Sequence, residues 1–351
     1  MKPPLNPGMP VVLCPDADSA AGWGHLMRMR TLAGEFVVHG HPVHWVIEAD
    51  VVPPLMVGWQ NHVTLVPVGA DEGEWRKALA AYADAWVIWD TNRLRAEQLR
   101  YRAPKSAVVV ATDDYARMVY PTDWVVNWHL GSEGWGIRGI HGTQILAGIQ
   151  YLPVRNEVLE RRDRAPNPES AVSRVLITFG GLDRSRQILR ALDILQSHLW
   201  QYPSPRVTAV VVTGGETDEY LDEIQERAVE FNVAVELWRY VPDLPELAVS
   251  CGAAIAAGGS TLYELCFLGI PTISIVTSPH HRRMSDALGR VGAIRSLGDA
   301  SELSASRFGA NVTELLREPS AREGLVERAR TLLDGRGGAR LYAAWSSDGG
   351  V

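Results

Sequence analysis

Short apolar runs alternate with amphipathic, helix-like stretches along almost the whole chain, and this alternation restricts the fold more than any other feature. In the first half the apolar runs are PVVLC, HPVHWVIE, HVTLVPV, AWVIWD, SAVVVATDD and WVVNW. Runs of this length are typical of buried strands, whereas the stretches between them repeat their apolar positions with the helical period. Strands that alternate with helices predict βαβ units and a parallel sheet.

The same alternation restarts at RVLITFGG, after a charged segment with two prolines, NEVLERRDRAPNPESAV, which is typical of an exposed connector. A chain of 351 residues is also longer than one hydrophobic core usually organises. We therefore predict an α/β protein with two doubly wound, Rossmann-like domains, residues 1–155 and 173–351, joined by a linker at 156–172. Ligand is expected in a cleft between the domains, at the carboxyl ends of the strands.

Composition excludes several classes of function. The net charge is −7 with acidic and basic residues interspersed, so no basic face for nucleic acid is predicted. No uninterrupted apolar run is long enough to span a membrane, and prolines interrupt the N-terminal segment where a secretory signal needs apolar residues. Cys14, Cys251 and Cys266 form no closely spaced pair and are interpreted as reduced packing residues. We expect a cytoplasmic protein without cofactor or metal, and a monomer.

Three glycine-rich turns each follow a strand-like run and precede a helix-like one: AGWGHLMR, TFGGLDRS and AAGGSTLYEL. Glycine lets the backbone approach a ligand closely, and the following helix N-terminus presents unpaired amides that favour an anion. None of the three is a P-loop and none has the full GxGxxG spacing. Each alone is therefore more typical of a structural turn than of a phosphate site.

The two turns of the second half are more informative together, because one sheet would bring both helix N-termini side by side, as a diphosphate requires. Ser260 and Thr261 add hydroxyl donors, and Glu264, about one turn along the helix, is placed to bind the hydroxyls of a ribose. An alternative stays open at this point. Ser260 is also a good helix N-cap, and Glu264 is an acid near the positive end of the helix dipole.

Several segments, in order, resemble one family. DADSAAGWGHLMRMRTLA follows the pattern Asp-Ala-Ser-x-x-Ile-Gly-x-Gly-His-x-x-Arg-x-x-x-Leu-Ala, and the likeness continues through VIWDTNRL, ATDD, VVNWHLG, GIQYLPVRNEV, TFGGLDRS and GAAIAAGGSTLYELCFLGIPTISI. The chain resembles the UDP-2,4-diacetamido-2,4,6-trideoxy-β-L-altropyranose hydrolases of pseudaminic acid biosynthesis, whose relatives include spore-coat polysaccharide proteins. The resemblance implies a GT-B fold, with a nucleotide-sugar, UDP-linked in this family, bound as substrate.

The resemblance also implies roles for residues of the first turn. His25 matches the catalytic histidine, facing the anomeric carbon, and an imidazole near neutral pKa can take a proton from attacking water. Asp16 matches the first acid of the pattern and is expected to orient the histidine or contact a sugar hydroxyl, with a structural loop acid as the alternative. Gly22 and Gly24 would let the loop reach the substrate. Arg28 is interpreted either as a ligand for an anionic group or as a surface residue.

The chain departs from the family pattern at several ligand-facing positions. Asn92 stands where the family has a tyrosine, Leu182 replaces a serine or threonine, and His280 and His281 replace an asparagine and a glutamine. These changes indicate a shifted substrate or a different acceptor. The predicted catalytic pair is His25 and Asp16, and the predicted substrate-binding residues are Gly22, Trp23, Gly24, Arg28, Asp90, Asn92, Gly180, Gly181, Asp183, Val241, Gly258, Gly259, Ser260, Thr261, Glu264, His280 and His281.

Three functions follow as hypotheses. The first is hydrolysis of a UDP-linked amino-deoxy sugar by water attack at C1, with the second domain stabilising the departing diphosphate. The second is a GT-B glycosyltransferase, in which His25 would deprotonate an acceptor hydroxyl instead of water. The third is a non-catalytic nucleotide-sugar binding protein that keeps the pocket without the chemistry.

Overall fold

The structure is a computed structural model of the 351-residue chain. It describes residues 3–17, 24–53, 56–140, 142–180, 183, 185–202, 206–231, 234–239, 241 and 243–346, without the side chains of residues 199, 200, 231 and 280. The chain divides into two compact units. The first unit comprises Met1–Arg155 and Gly335–Val351, and the second unit comprises Asn156–Asp334.

The first unit is an α/β sandwich. Its strands are β1 Val11–Pro15, β2 Val43–Glu48, β3 Val63–Val66, β4 Trp86–Asp90, β5 Val108–Thr112, β6 Val119–Tyr120, β7 Trp124–Asn127, β8 Arg138–Gly139 and β9 Gln144–Ala147. Its first helices are α1 Gly24–Val38, α2 Glu72–Leu79 and α3 Ala96–Arg102. All six apolar runs that the sequence marks as strands in this half contain one, so these predictions are confirmed.

The main sheet of the first unit has the strand order β3-β2-β1-β4-β5-β7-β9, and its pairings are parallel. The chain builds outward from β1 in one direction and from β4 in the other. The topological switch point, where such folds bind ligands, therefore lies between the carboxyl ends of β1 and β4. Strand β5 illustrates why these runs form a parallel sheet, since all five of its residues are buried between helix layers.

The second unit repeats this architecture. Its strands are β10 Arg174–Thr178, β11 Thr208–Val212, β12 Ala234–Trp238, β13 Ala253–Ala257, β14 Thr272–Val276 and β15 Arg295–Asp299. Its helices are α4 Asn156–Leu159, α5 Gln187–Gln201, α6 Asp218–Phe231, α7 Leu244–Val249, α8 Ser260–Leu268, α9 Pro279–Arg290, α10 Ala305–Arg317 and α11 Pro319–Leu332. The sheet order is β12-β11-β10-β13-β14-β15, again parallel, so its switch point lies between β10 and β13. Two doubly wound units, as predicted, make up the chain.

The C-terminal segment corrects the predicted domain boundary. Helix α12, Gly337–Ser346, belongs to the first unit, although the sequence pattern assigned everything after residue 173 to the second. Leu341 and Trp345 lie fully buried in the core of the first unit, and the Leu5 backbone amide donates to the carbonyl of Trp345 at 2.7 Å. Burial of these large side chains holds the helix there, and no local sequence signal reports which sheet a terminal helix will cover.

The predicted linker at 156–172 is also corrected, because the segment packs within the second unit. Arg322, buried in α11, donates from Nε to the carbonyl of Pro168 at 2.7 Å and from Nη2 to the carbonyl of Ser170 at 3.0 Å. The charged residues and the prolines of segment 156–172 are typical of an exposed connector, which explains the prediction. A buried arginine from a distant helix instead satisfies its carbonyl groups.

Candidate active site

His25 is the second residue of α1, the helix that comes after β1 in the chain. This position puts it at the switch point of the first sheet, and only 9% of its surface is exposed. Gly24, the first residue of α1, is exposed, whereas Gly22 and Trp23 lie outside the described residues. The helix therefore begins at the predicted turn and carries His25 inward.

Asp90, the last residue of β4, holds the imidazole of His25. Its side chain is fully buried, and its Oδ1 lies 2.8 Å from His25 Nδ1. A carboxylate can only accept, so Nδ1 carries the proton and Nε2 keeps its lone pair. Thr112 Oγ1, at the end of β5, donates to the same oxygen at 2.6 Å. The hydrogen bond to Asp90 fixes both the tautomer and the orientation of the His25 ring.

Arg28 lies one helical turn after His25 and joins two carboxylates. Its Nε and Nη2 donate to Asp90 at 2.6 and 2.5 Å, and its Nη1 and Nη2 donate to Asp114 at 2.9 and 2.8 Å. The guanidinium also lies 5.2 Å from the ring centroid of Trp128. Four of its five N–H groups are thus engaged within the protein. This use corrects the alternative that Arg28 is an ordinary surface residue, whereas its role as a ligand for an anionic group stays a prediction.

The charges of this cluster shift the proton affinities of its members. Burial lowers the pKa of His25, but the charge of Asp90, the hydrogen bond to Asp90 and the charge of Asp114 together outweigh burial and raise that pKa above the ordinary 6.5. Burial tends to raise the pKa of Asp90, yet Arg28 and His25 together lower it to about 2. Asp90 is therefore ionised throughout the physiological range and stabilises an imidazolium at His25.

Asn92 reaches the other side of the imidazole. Its Nδ2 donates to His25 Nε2 at 3.1 Å, and its backbone amide donates to Asp16 Oδ2 at 2.9 Å. Arg117 also holds this segment, because it donates to the backbone carbonyls of Thr91 and Asn92 at 2.8 and 2.5 Å. Asp16 thus positions the Asn92 loop, and the carboxylate that orients His25 is Asp90. The predicted histidine-orienting role of Asp16 is corrected accordingly.

The two acids after β5 have different uses. Asp113 accepts from the Tyr120 hydroxyl at 2.5 Å and from the Ala116 amide at 2.8 Å, so it fixes the following turn. Asp114 joins the histidine cluster through Arg28, and it also contacts His129 Nε2 at 3.1 Å. His129 is absent from the predicted set. The signal that points to it is its place just after β7, at the same edge of the sheet as Asp16 and Asp90.

In the second unit, two of the predicted glycine turns lie side by side. Strand β10 pairs with β13, with Thr178 opposite Ala256, and the turns that contain Gly180 and Gly258 directly follow these strands. Gly180 has φ +87°, a conformation that glycine adopts without strain. The prediction that one sheet edge carries both turns is confirmed, although Gly181 and Leu182 lie outside the described residues.

The N-terminus of α8 is built for close approach to its backbone. Gly259 is the N-cap, has φ +136° and makes no side-chain cap, and a Cβ there would meet nothing within 4 Å. Ser260 is the first residue inside the helix, so the alternative that it caps the helix is wrong. Thr261 and Glu264 are both partly exposed on the first turns. Helix amides and hydroxyl groups here can receive an anion.

The N-terminus of α5 differs, because Asp183 already occupies it. Its carboxylate accepts from the backbone amides of Gln187 and Ile188 at 2.9 and 2.7 Å and from the Tyr220 hydroxyl at 2.8 Å. Only 4% of Asp183 is exposed. Its carboxylate acts as a helix cap, which argues against the predicted contact with substrate. A carboxylate of the protein therefore occupies the N-terminus of α5, and a diphosphate site at α8 and the Gly180 turn stays a prediction.

The other predicted substrate-binding residues of the second unit are His280, His281 and Val241. His281 in α9 packs over Gly258, where a Cβ would lie 2.4 Å from the His281 Cβ, and its Nδ1 lies 3.3 Å from Thr277 Oγ1. The side chain of His280 is outside the described part of the chain. Val241 is partly buried after β12. The close approach of α9 to the Gly258 turn explains why that position lacks a side chain.

The described residues were also compared with the requirements of metal sites, membrane helices, disulfides and cavities. They contain no group of three His, Cys, Asp or Glu side chains arranged to hold a metal ion, and none of their helices is both long and apolar enough to cross a bilayer. The three cysteines are buried and form no disulfide. A cavity of about 660 Å³ lies between α5 and α10, lined by residues such as His198, Tyr202 and Arg317, and no predicted site residue reaches it.

Sequence comparison finds relatives of this chain at low identity. No protein-family model matches it. It is 21% identical over 351 residues to the spore coat polysaccharide biosynthesis protein SpsG of Bacillus subtilis, covering 95% of this chain and 97% of that protein. It is also 27% identical over 145 residues to an uncharacterized protein of Methanocaldococcus jannaschii. That match covers 40% of this chain and 28% of the archaeal protein.

Solved structures share the architecture over almost the full chain. MurG of Acinetobacter baumannii superposes with a TM-score of 0.68 at 12% identity, covering 97% of this chain and 99% of that one. A spinosyn rhamnosyltransferase complexed with thymidine diphosphate gives 0.59 at 17% identity, covering 95% and 99%. A UDP-glucosyltransferase of Polygonum tinctorium gives 0.65 at 14% identity, covering 98% and 100%. The chain therefore has the two-domain α/β fold of GT-B enzymes.

Proposed function

We propose that this protein is an enzyme that hydrolyses a UDP-linked amino-deoxy sugar, releasing UDP and the free sugar, in the synthesis of a bacterial surface glycan of the nonulosonic acid type. The observation that carries the proposal is the His25–Asp90 pair at the switch point of the first sheet. An oriented imidazole whose Nε2 carries no proton can act as a general base, and a buried carboxylate behind it stabilises the charge that it gains. The similarity to SpsG supports the assignment to glycan synthesis.

The proposed step uses His25 as the base. A water molecule either replaces the Asn92 amide at His25 Nε2 or is held there by that amide. The water oxygen forms a bond to C1 of the sugar while one water proton moves to Nε2. The bond from C1 to the phosphate oxygen breaks, and its electron pair leaves with UDP. Asp90 remains ionised and stabilises the resulting imidazolium. Asp16 acts by keeping the Asn92 loop in position.

The leaving diphosphate is proposed to bind the second unit. Backbone amides at the start of α8, together with the hydroxyls of Ser260 and Thr261, are the donors. Glu264, one turn along α8, is proposed to accept from the ribose hydroxyls, with Val241 and His281 beside the nucleotide. This arrangement spreads the leaving-group charge without a divalent ion, so UDP release is expected to be insensitive to EDTA.

A glycosyltransferase is the alternative, and the similarity to the UDP-glucosyltransferase and the rhamnosyltransferase favours it. The same nucleotide site would serve, and His25 would deprotonate an acceptor hydroxyl instead of water. The departures from the family pattern at Asn92 and His281 support a different substrate or acceptor under this alternative. The third hypothesis is a binding protein without turnover. In that case the second unit binds the nucleotide, and the charged cluster of the first unit only stabilises the structure.

One experiment separates the three. Purified protein is incubated with UDP- and dTDP-linked sugars, with and without candidate acceptors, and products are identified by mass spectrometry. UDP release in water alone supports the hydrolase, whereas turnover that requires an acceptor supports the transferase. Nucleotide binding without turnover, unchanged in His25→Ala, selects the binding protein. Loss of all activity on adding EDTA, restored by magnesium, would contradict the metal-free mechanism.

A further inference from the structure

The backbone of Asn92, in the loop that follows β4, is held at both of its polar groups. Its amide donates to Asp16 Oδ2 at 2.9 Å, and its carbonyl accepts from Arg117 Nη1 at 2.5 Å. Arg117 Nη2 donates to the neighbouring carbonyl of Thr91 at 2.8 Å. The freedom left to Asn92 is therefore in its side chain, whose Nδ2 donates to His25 Nε2 at 3.1 Å.

Arg117 connects two loops that leave neighbouring strands of the first sheet. Strands β4 and β5 pair in parallel, so the loops after them begin at the same edge of the sheet. Arg117 belongs to the loop after β5 and binds the loop after β4. A guanidinium is planar and always charged, and its fork can donate to two carbonyl groups at once. Hydrogen bonds from a charged donor are also stronger than neutral ones, so this contact fixes one loop on the other.

The residue before Arg117 has a strained backbone. Ala116 has φ +53°, a left-handed conformation that costs energy in residues with a Cβ. Asp113, which is only 3% exposed, stabilises this turn. Its Oδ2 accepts from the Ala116 amide at 2.8 Å, and its Oδ1 accepts from the Tyr115 amide at 3.1 Å. Because such strain persists only where neighbouring groups enforce it, the turn sets the direction in which the Arg117 side chain leaves its loop.

We propose that Arg117 is a positioning residue of the active site. By binding the carbonyls of Thr91 and Asn92, it keeps the side-chain amide of Asn92 beside His25 Nε2, where that amide holds the attacking water. The meaning for catalysis rests on the proposed role of His25 in hydrolysis. The connection between the two loops does not, since it follows from the contacts whatever the reaction is.

The connection is tested by hydrogen–deuterium exchange of residues 90–95, measured by mass spectrometry on the full chain. Arg117→Met removes the guanidinium and keeps an apolar stem, and Arg117 is exposed, so the change leaves no buried cavity. Exchange in this segment should be about 3- to 10-fold faster, because the loop opens more often without the two hydrogen bonds. Arg76→Met, an exposed arginine on α2 of the same unit, is the matched control and should leave the exchange unchanged. Unchanged exchange in Arg117→Met overturns the proposal.

A pair of variants at Ala116 tests the turn without removing the charge of Arg117. A β-branched side chain tolerates positive φ poorly, so Ala116→Val should displace the turn and raise the exchange of residues 90–95 as Arg117→Met does. Ala116→Gly adopts the same φ without strain and should leave the exchange unchanged. Equal exchange in the two Ala116 variants would contradict the role assigned to the turn.

If a nucleotide-sugar turns over, a double-mutant cycle separates positioning from a general structural role. Arg117→Met should lower kcat by about 3- to 10-fold with little change in KM, and it should cause no further loss in Asn92→Ala. Losses that multiply in the double variant, or an Asn92→Ala variant with unchanged kcat, would overturn the positioning role. Absence of turnover with every nucleotide-sugar tested would instead overturn the proposed function and leave the exchange result intact.

Discussion

The switch points of the two sheets are built in opposite ways. In the first unit, side chains from α1, β4 and the ends of β5 and β7 meet in a charged cluster, which includes His25, Arg28 and Asp90. In the second unit, the corresponding place has glycine turns and an uncapped helix start at Gly259. The first arrangement suits proton transfer, because it fixes the position and charge of an imidazole. The second suits binding, because backbone amides receive an anion without side-chain rearrangement.

The largest expected effect tests this division at His25. His25→Ala should lower kcat for UDP release by about 10²–10⁴-fold, the usual contribution of a general base, and leave the Kd for UDP unchanged. Turnover is followed by chromatography of released UDP, and binding by calorimetry. Asn92→Ala is the companion variant, because it removes the Nε2 contact and keeps the base. Equal losses of UDP affinity and turnover in His25→Ala would break the proposed separation of roles.

Arg28 tests whether the first cluster is also structural. Arg28→Ala leaves two buried carboxylates without their cation, and it should lower the free energy of unfolding by about 3–5 kcal/mol. Urea unfolding followed by tryptophan fluorescence reports on this unit, since ten of the twelve tryptophans lie in it. The control is Arg76→Ala, an exposed arginine on α2, with an expected change within about 0.5 kcal/mol. Similar losses in both variants would contradict the assignment.

Gly258 tests the second arrangement. In Gly258→Ala the new Cβ would lie 2.4 Å from the Cβ and 2.9 Å from the Cα of His281, so α9 must move. The expected loss in free energy of unfolding is about 1–3 kcal/mol, together with weaker UDP binding. Gly309→Ala in α10 is the matched control, because its Cβ meets only Ile194 Cδ1 at 3.8 Å. Circular dichroism melts and calorimetry measure the two effects, and a neutral Gly258→Ala would show that the turn tolerates displacement.

The smallest expected effect is the loss of stability of the first unit in acid. The pKa of Asp90 is lowered from 3.8 to about 2, so its pairing contributes stability that is present above pH 4 and disappears as the pH falls towards 2. The expected contribution is about 2 kcal/mol to the first unit. The pKa of His25 is raised, so its contribution is complete below pH 6.5 and disappears as the pH rises through the folded value.

The difference between wild type and Asp90→Asn isolates the acid effect. Unfolding followed by tryptophan fluorescence at pH 2, 4 and 6 should show the two proteins converging at pH 2 as the wild-type carboxylate is protonated. A gap that stays constant from pH 6 to pH 2 would show that Asp90 stabilises the unit through packing and neutral hydrogen bonds instead of charge.

Sequence reasoning succeeded where the relevant information is local. Apolar runs of strand length predicted strands such as β1, β4 and β13, because burial on both faces of a parallel sheet requires continuous apolar residues. It assigned the C-terminal helix to the wrong unit, and it did not find the partners of Asp183 and Arg28 within the protein. Each of those depends on a partner far away in the chain, for example the Tyr220 hydroxyl on Asp183 or Leu5 on Trp345.

The sequence by itself determined the alternation of strands and helices, the two-unit α/β architecture, and the glycine turns and histidine that follow the strands. These features depend on residues a few positions apart, whose periodicity and backbone freedom are visible in the sequence. Only the tertiary structure decided that Asp90, Asp114 and His129 converge on Arg28 and His25. The physical reason is that strand order sets which carboxyl ends are neighbours, and long-range burial selects that order.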